Sequence, residues 1–349
     1  MKLNSIVLAL FIALIVISGC SGKKDVKKSL EEIRTGTDAI NAYFLANNPP
    51  IDIHVEKTGD DTINTFPIVL QVFNKGAYPQ PEDGSMKFGK VYLSGYDTNI
   101  IEIKPKESSA SAYYGDLTKM AVEGKSTINP NGGQDILSFI GTVKSANLNV
   151  ERYEPTLRAT ACYYYETVAG PSVCIDPNPY STTGERKVCE VHDTSLSSQG
   201  APVAVVSIEE QAFARKTQFK ITIRNLGKGD VLKIDSNDDT KSLEKCNPIG
   251  TEKLDREDID KVRLDSVMLA NTPLDCGPFT GEPAGSNNVK SSSGLIRMIN
   301  GEGYVICELS DSSYSNKVSS YTSPLLIRLS YGYRTIDERP LLVKLESTS

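Results

Sequence analysis

The sequence predicts an all-β chain built as two tandem antiparallel β-sandwiches, and three observations carry that prediction. Ile68-Val69-Leu70-Gln71-Val72-Phe73 alternates apolar and other residues and stops at Asn74-Lys75-Gly76, and Phe219-Lys220-Ile221-Thr222-Ile223-Arg224 does the same and stops at Asn225-Leu226-Gly227. A period of two is a half-buried strand, and Asn-x-Gly is a turn whose Asn and Gly can take positive φ. Tyr163-x-Tyr165-x-Thr167 then returns as Tyr331-x-Tyr333-x-Thr335, in the same order after the first signal. The shared order reads as an internal duplication, and 349 residues let each copy bury its own core.

Composition removes several classes of function. The formal net charge is −6, with 38 Lys and Arg against 44 Asp and Glu, so no basic field exists to hold nucleic acid by counterion release. His occurs only as His54 and His192, which leaves little imidazole chemistry for general bases or metals.

The N-terminus carries the most specific pattern. Lys2 precedes an uncharged run from Leu3 to Gly22 with an apolar heart over residues 6–17, followed by Ile17-Ser18-Gly19-Cys20. An apolar residue, two small residues and a Cys resemble the lipobox of a lipoprotein signal peptide, which implies cleavage before Cys20 and lipid on its sulfur. A diacyl modification anchors a chain stably, whereas one acyl chain is marginal. The alternative is an uncleaved membrane helix. Lys23, Lys24, Lys27 and Lys28 follow the run while only Lys2 precedes it, which is the wrong way round for export. Residues 1–20 are therefore a signal peptide or anchor, and 21–49 a polar tether with a short helix over 29–45, ended by Asn47-Asn48-Pro49-Pro50.

The first sandwich spans 50–176, with strands near 51–56, 66–73, 90–93, 100–103, 135–143, 156–167 and 172–175, and a short helix around 116–122. Residues 77–89 are loop. Residues 177–200, rich in Pro, Ser, Thr and Gly, are a linker. The second sandwich spans 201–349, with strands near 204–209, 218–225, 231–234, 262–269, 295–299, 303–309, 324–334 and 340–345. An insertion relative to the first copy falls around 245–276.

The six cysteines after Cys20, namely Cys162, Cys174, Cys189, Cys246, Cys276 and Cys307, are an even number and fit disulfides in an oxidising compartment. A hairpin turning near Val168 would set Cys162 opposite Cys174 for a cross-strand bridge, with Tyr163 and Tyr165 on the other face. Among Cys246, Cys276 and Cys307, one pair would tie the inserted loops to the strand at 304–309. A rival is a zinc site of Cys162, Cys174, Cys189 and His192, but it lacks paired knuckle spacing. Six cysteines allow 15 connectivities, and spacing alone does not choose one.

Other candidates fall short of a site. Gly124-Lys125-Ser126 resembles the end of a phosphate loop, but Lys119 stands where its first Gly belongs. Asp235, Asn237 and Asp239 have the spacing that opens a calcium loop, but Thr240 and Cys246 replace its Gly and Glu. His54 alternates against Ile53 and Val55 and reads as a surface residue. Tyr113, Tyr114 and Tyr164 could form a binding platform, whereas Tyr163 and Tyr165 read as packed core. No Gly-x-Ser-x-Gly, His-Glu-x-x-His, Gly-x-Gly-x-x-Gly or Asn-x-Ser/Thr is present. Asp258 and Asp260 in the inserted loops would matter only to an enzyme, and no motif nominates them.

The Val-Phe-Asn-Lys-Gly turn at 72–76, the loop Asn129-Pro130-Asn131-Gly132-Gly133 and Ile223-Arg224-Asn225-Leu226-Gly227 resemble immunoglobulin-like domains of the cell-adhesion-related bacterial type (CARDB). Together with Asn47–Pro50, the Cys162–Asp176 stretch and Gly200–Glu210, they are similar to surface lipoproteins of small-genome archaea. The resemblance implies immunoglobulin-like sandwiches and a cell-surface address. The expected protein is non-enzymatic and cofactor-free, a structural or adhesion module held to the membrane by its N-terminal anchor and meeting a protein partner on the envelope. The alternative is a ligand-binding lipoprotein feeding a transporter.

Overall fold

The computed structural model describes residues 33–57, 60–80, 83–106, 110, 111, 113–181, 187–213, 216–234, 240–280, 291–310 and 319–346. The first copy is β1 (Ile40–Phe44), β2 (Thr65–Asn74), β3 (Gly89–Ser94), β4 (Ile101–Pro105), β5 (Gln134–Val143) and β6 (Thr156–Ala169), with β7 (Ser172–Ile175) beyond it. The second copy is β8 (Val203–Phe213), β9 (Lys216–Asn225), β10 (Lys261–Leu269), β11 (Asp275–Gly277), β12 (Glu302–Leu309) and β13 (Tyr321–Pro340). The fold is all-β, and among the described residues helix is limited to short turns such as Leu117–Lys119 and Lys241–Glu244.

The duplication extends to hydrogen bonding. One sheet runs β1-β2-β5-β4 and another β8-β9-β12-β11, the A-B-E-D order of an immunoglobulin-like sandwich written twice. The facing layer is a ten-stranded sheet with β10-β13-β6-β3 at its centre. Alternation puts Ile68, Leu70, Val72, Leu137 and Phe139 against Val91, Leu93, Tyr163 and Tyr165 in the first copy. Phe219, Ile221, Ile223 and Val305 face Val262, Leu264, Tyr331 and Tyr333 in the second. Each such buried side chain contributes about 1.5–3 kcal/mol.

Neither sandwich closes alone. Where a seventh strand would flank β6, β13 of the other copy sits instead, antiparallel from Thr156 opposite Pro340 to Ala169 opposite Ile327. Tyr163 faces Tyr333 and Tyr165 faces Tyr331, so a pseudo-twofold axis passes through the pair Tyr164 and Gly332. The halves are thus fused through one sheet.

This pairing corrects the expected hairpin. The β6 ladder passes through Val168, and β7 continues the same register along β13, with Ser172 opposite Pro324. Gly170-Pro171 interrupts the ladder without reversing the chain. Likewise Tyr331-x-Tyr333-x-Thr335 lies within a 20-residue strand and precedes no turn.

Other expectations shift for similar reasons. Ile40–Phe44, expected within a helical segment, is a strand whose backbone pairs with β2. The expected strand at 51–56 leaves the first sandwich: Asp52–Glu56 pairs in parallel with Leu342–Glu346, which also pairs with Arg152–Tyr153, so a small sheet joins the two ends of the described chain. The expected helix at 116–122 is a single 3-10 turn, capped by Asp116 accepting from Thr118 N. β10, inside the expected insertion, pairs with β13 as β3 pairs with β6, so the extra residues lie before it.

The Asn-x-Gly turns also work differently. Gly76 and Gly227 are not among the positive-φ residues. Glycine is required there by close approach: a Cβ on Gly76 would sit 1.9 Å from the Tyr165 hydroxyl, and one on Gly227 2.3 Å from the Tyr333 hydroxyl. In each copy the Asn carboxamide spans the turn. Asn74 Oδ1 accepts from Gly76 N and Asn74 Nδ2 donates to Tyr78 O, while Asn225 does the same with Gly227 N and Gly229 O. The second tyrosine of each motif then accepts from the turn backbone, Tyr165 from Tyr78 N at 3.2 Å and Tyr333 from Gly229 N at 2.8 Å. The two repeated sequence signals are therefore one tertiary contact.

Replacing Tyr165 or Tyr333 by Phe leaves a buried turn N–H without its acceptor, so each variant should lose about 1–3 kcal/mol in urea unfolding. Gly76→Ala should lose more, because backbone oxygens of Gly200 and Asp38 also crowd the new Cβ. Unchanged urea midpoints for both Phe variants would refute the role given to these hydroxyls.

Candidate functional site

The side chains of the shared β6–β13 layer divide by alternation. On the inner face Tyr163, Tyr165, Tyr331 and Tyr333 form a cluster with ring centroids 5.9–6.3 Å apart. Thr167 Oγ1 donates to Val203 O and pairs with the Tyr331 hydroxyl, which also accepts from Val203 N. Burial pushes the Tyr163 and Tyr331 hydroxyls well above their ordinary pKa. These tyrosines are core.

On the outer face, Tyr164 does not form a platform. It is 1% exposed, its hydroxyl donates to Glu166 Oε1 at 2.8 Å, and Lys87 Nζ lies 4.4 Å from its ring centre and 3.1 Å from Glu166. Beside it Ser330 Oγ and Arg263 Nε both donate to Asp265 Oδ1, and burial raises the Asp265 pKa. Tyr113 and Tyr114 are half-buried and stack edge to face at 5.7 Å.

Where Arg34 reaches this seam, two cavities meet. One of about 190 Å³ is lined by Arg34, Tyr78, Gln80, Asp83, Glu166 and Arg328 among others. A trough of about 440 Å³ adjoins it, with Arg34, Val168 and Gln199 common to both. The backbone just after Arg34 is held on two sides, since Gly36 N donates to Ser198 Oγ of the 177–200 connection and Lys125 Nζ of the first copy donates to Thr35 O. Sequence reasoning missed this cleft. Arg34 stands alone in a polar segment and Arg328 occupies an ordinary outward strand position, so neither carried a signal.

The cysteines pair as Cys162–Cys246, Cys174–Cys189 and Cys276–Cys307. Cys162 does not meet Cys174, because the two lie along one strand direction. The first bridge joins β6 of the first copy to the insertion of the second, closing 84 residues. The last joins facing residues of β11 and β12. The zinc alternative is thereby dismantled: its sulfurs are divided between two disulfides, and His192 is exposed with Nδ1 against its own loop at Glu190 O. Among the described residues no three His, Cys, Asp or Glu are placed to hold a metal.

Cys20 and Asp235, Asn237 and Asp239 lie outside the described residues. Gly124 and Lys125 buttress the first Asn-x-Gly turn through Pro79 O and Gly76 O. His54 is exposed and paired with Glu346. Asp258 accepts both contacts of Lys245 Nζ, at 3.0 and 3.1 Å, and Asp260 sits at a turn with φ of 56°.

No protein-family model and no curated protein matches the chain. Two solved structures align over much of its length. One is the CupB6 tip adhesin of Pseudomonas aeruginosa, at 8% identity and a TM-score of 0.16, covering 81% of this chain and 90% of that one. The other is the C-terminal domain of the AgI/II polypeptide BspA of Streptococcus agalactiae, at 8% identity and 0.17, covering 88% and 98%. Likeness at that level transfers neither topology nor function.

Two predictions concern this region. Glu210 on β8 is buried, its Oε1 has no hydrogen-bond partner, and desolvation raises its pKa to about 7. The folded state therefore binds its proton more tightly than the unfolded chain does, so stability falls as pH rises from about 4.5 to 7. Melting temperatures across that window should decline in the parent and decline less in Glu210→Gln. Removing the long-range bridge with Cys162→Ala and Cys246→Ala together should cost about 2–5 kcal/mol, measured as a lower denaturant midpoint.

Proposed function

We propose that the chain is a non-enzymatic module of the cell envelope, a rigid double sandwich displayed outside the cytoplasm for structural or adhesive contact. The observation that carries this reading is the covalent and hydrogen-bonded locking of the two copies: a 14-residue shared ladder and three disulfides, one of them between copies. Disulfides of this kind persist in oxidising compartments. In this reading Ile17-Ser18-Gly19-Cys20 directs lipidation of Cys20, the Lys-rich residues after it form a tether, and the domains belong with the CARDB-type surface lipoproteins that the sequence resembles. A protein partner on the envelope would meet loop ends or strand edges.

The transporter-linked alternative calls for α/β lobes rich in helix. The all-β architecture of the described residues gives it no support.

The test is the intact mass of the protein from membranes of cells expressing the full chain, with thiol alkylation before and after reduction. The expected species begins at Cys20, carries acyl chains and gains six alkyl groups only after reduction. A species retaining Met1 with six alkylatable thiols would put the domains on the reducing side and overturn the reading.

A further inference from the structure

We propose that the cleft at the seam between the two copies is a carboxylate-binding site, in which Arg34 and Arg328 grip the two oxygens. The inference does not depend on display at a membrane, because it rests on the unmet hydrogen-bonding capacity of this cleft.

Most polar groups around the cleft are already committed. Glu166 is ion-paired with Lys87 and accepts from the Tyr164 hydroxyl. Gln80 Nε2 donates to Ala77 O and Lys125 O, and Asp83 accepts from Gln80 N. Gln199 exchanges hydrogen bonds with both backbone groups of Val205. The two guanidiniums are the exception. Arg34 Nε is buried with no hydrogen-bond partner among the described residues, and the exposed guanidinium of Arg328, whose backbone lies opposite Val168 in the ladder, makes no hydrogen bond or ion pair with them. Arg34 Nε itself is closed to the cavity, but Arg34 lines it with other atoms, so an anion there answers a guanidinium charge that no described side chain answers.

The chemistry of the donors selects the ligand. Guanidinium offers N–H groups and accepts nothing, so the ligand must bring acceptor oxygens, and an anion answers the charge as well. Two further features favour a planar monoanion over a phosphate dianion. Asp83 shares the small cavity and would repel a second negative charge. The guanidinium fork also matches the two oxygens of a carboxylate. A cavity of about 190 Å³ accommodates a carboxylate and a few further heavy atoms. The molecule that carries it would extend into the 440 Å³ trough, whose wall includes Thr194, Ser195, Ser197 and Leu326. That shape suits the carboxylate end of a short chain better than a compact ion.

Arg34 is also well placed to hold such a group rigidly. Its segment is tied to Ser198 of the 177–200 connection and to Lys125 of the first copy, so the side chain springs from a fixed backbone at the junction. Arg328 projects from the shared ladder itself. The site therefore exists only when both copies are paired.

The test uses the purified oxidised chain and calorimetric titration at constant ionic strength. Probes are an N-acetylated alanine tetrapeptide with a free C-terminal carboxylate, the same peptide as its amide, sodium acetate and sodium phosphate. Expected results are saturable binding of the free acid and of acetate, no binding of the amide, and affinity for the free acid about tenfold or more weaker in Arg34→Gln and in Arg328→Gln. Arg328 is exposed, so that variant decides the matter should Arg34→Gln fail to fold. Binding of the amide equal to that of the acid, binding unchanged in Arg328→Gln, or binding of phosphate without acetate would each overturn the proposal.

Discussion

The antiparallel pairing of β6 with β13 is the constraint on which the rest of this molecule depends. An immunoglobulin-like sandwich ordinarily flanks its central strand with one from its own sequence. Here each copy lacks that strand and borrows the equivalent central strand of its twin. A long strand with an unpaired edge invites aggregation, and mutual pairing removes both such edges at once. Register is held from inside, where four tyrosines interlock around the pseudo-twofold axis. Ring contacts of this type add about 0.5–1.5 kcal/mol each beyond burial. A slip of one residue would turn all four off the inner face and put Tyr164, Glu166, Gly332 and Arg334 in their place.

The copies share a frame and differ on their surfaces. The outer face of β8-β9-β12 carries cross-strand ion pairs, Lys216 with Glu308, Lys220 with Glu209 and Arg224 with Glu302. On the corresponding first-copy face Tyr43, Ile136 and Ile140 are exposed instead. Exposed pairs contribute little to stability, so the difference concerns what each face meets more than how firmly it folds. The disulfides follow the same logic. The bridge from Cys162 to Cys246 fastens an insertion that only the second copy has, and Leu243 from that insertion packs over Gly332, where any larger side chain would collide.

Fusion also creates a place that neither copy owns. The seam cleft is bounded by Arg34 before the first sandwich, the loop around Tyr78, and Glu166 and Arg328 on paired strands of different copies. Binding groups are often carried on loops that a rigid scaffold positions, and here Glu166 and Arg328 stand on strands, which fix geometry more closely.

Strand positions were legible in the sequence because alternation reports which face of a strand is buried, and Ile68–Val72 and Phe219–Ile223 report it plainly. The duplication was legible because Asn-x-Gly and Tyr-x-Tyr-x-Thr recur in order. Alternation says nothing about neighbours, however, so the strand beside Tyr163-x-Tyr165 was read as the next one along the chain when it is Tyr331-x-Tyr333 far downstream. The hairpin expected near Val168 does not form, and the chain keeps its direction through Gly170-Pro171 because β13 pairs on both sides of it. Disulfide partners, the packing reason for Gly76 and the meeting of Arg34 with Arg328 likewise depend on long-range register. The sequence by itself determined an all-β, duplicated, cysteine-paired chain, since these follow from local periodicity and composition. Only the tertiary structure decided that the two copies share one sheet, because pairing across 14 residues is chosen by the collective burial of both cores and not by any one segment.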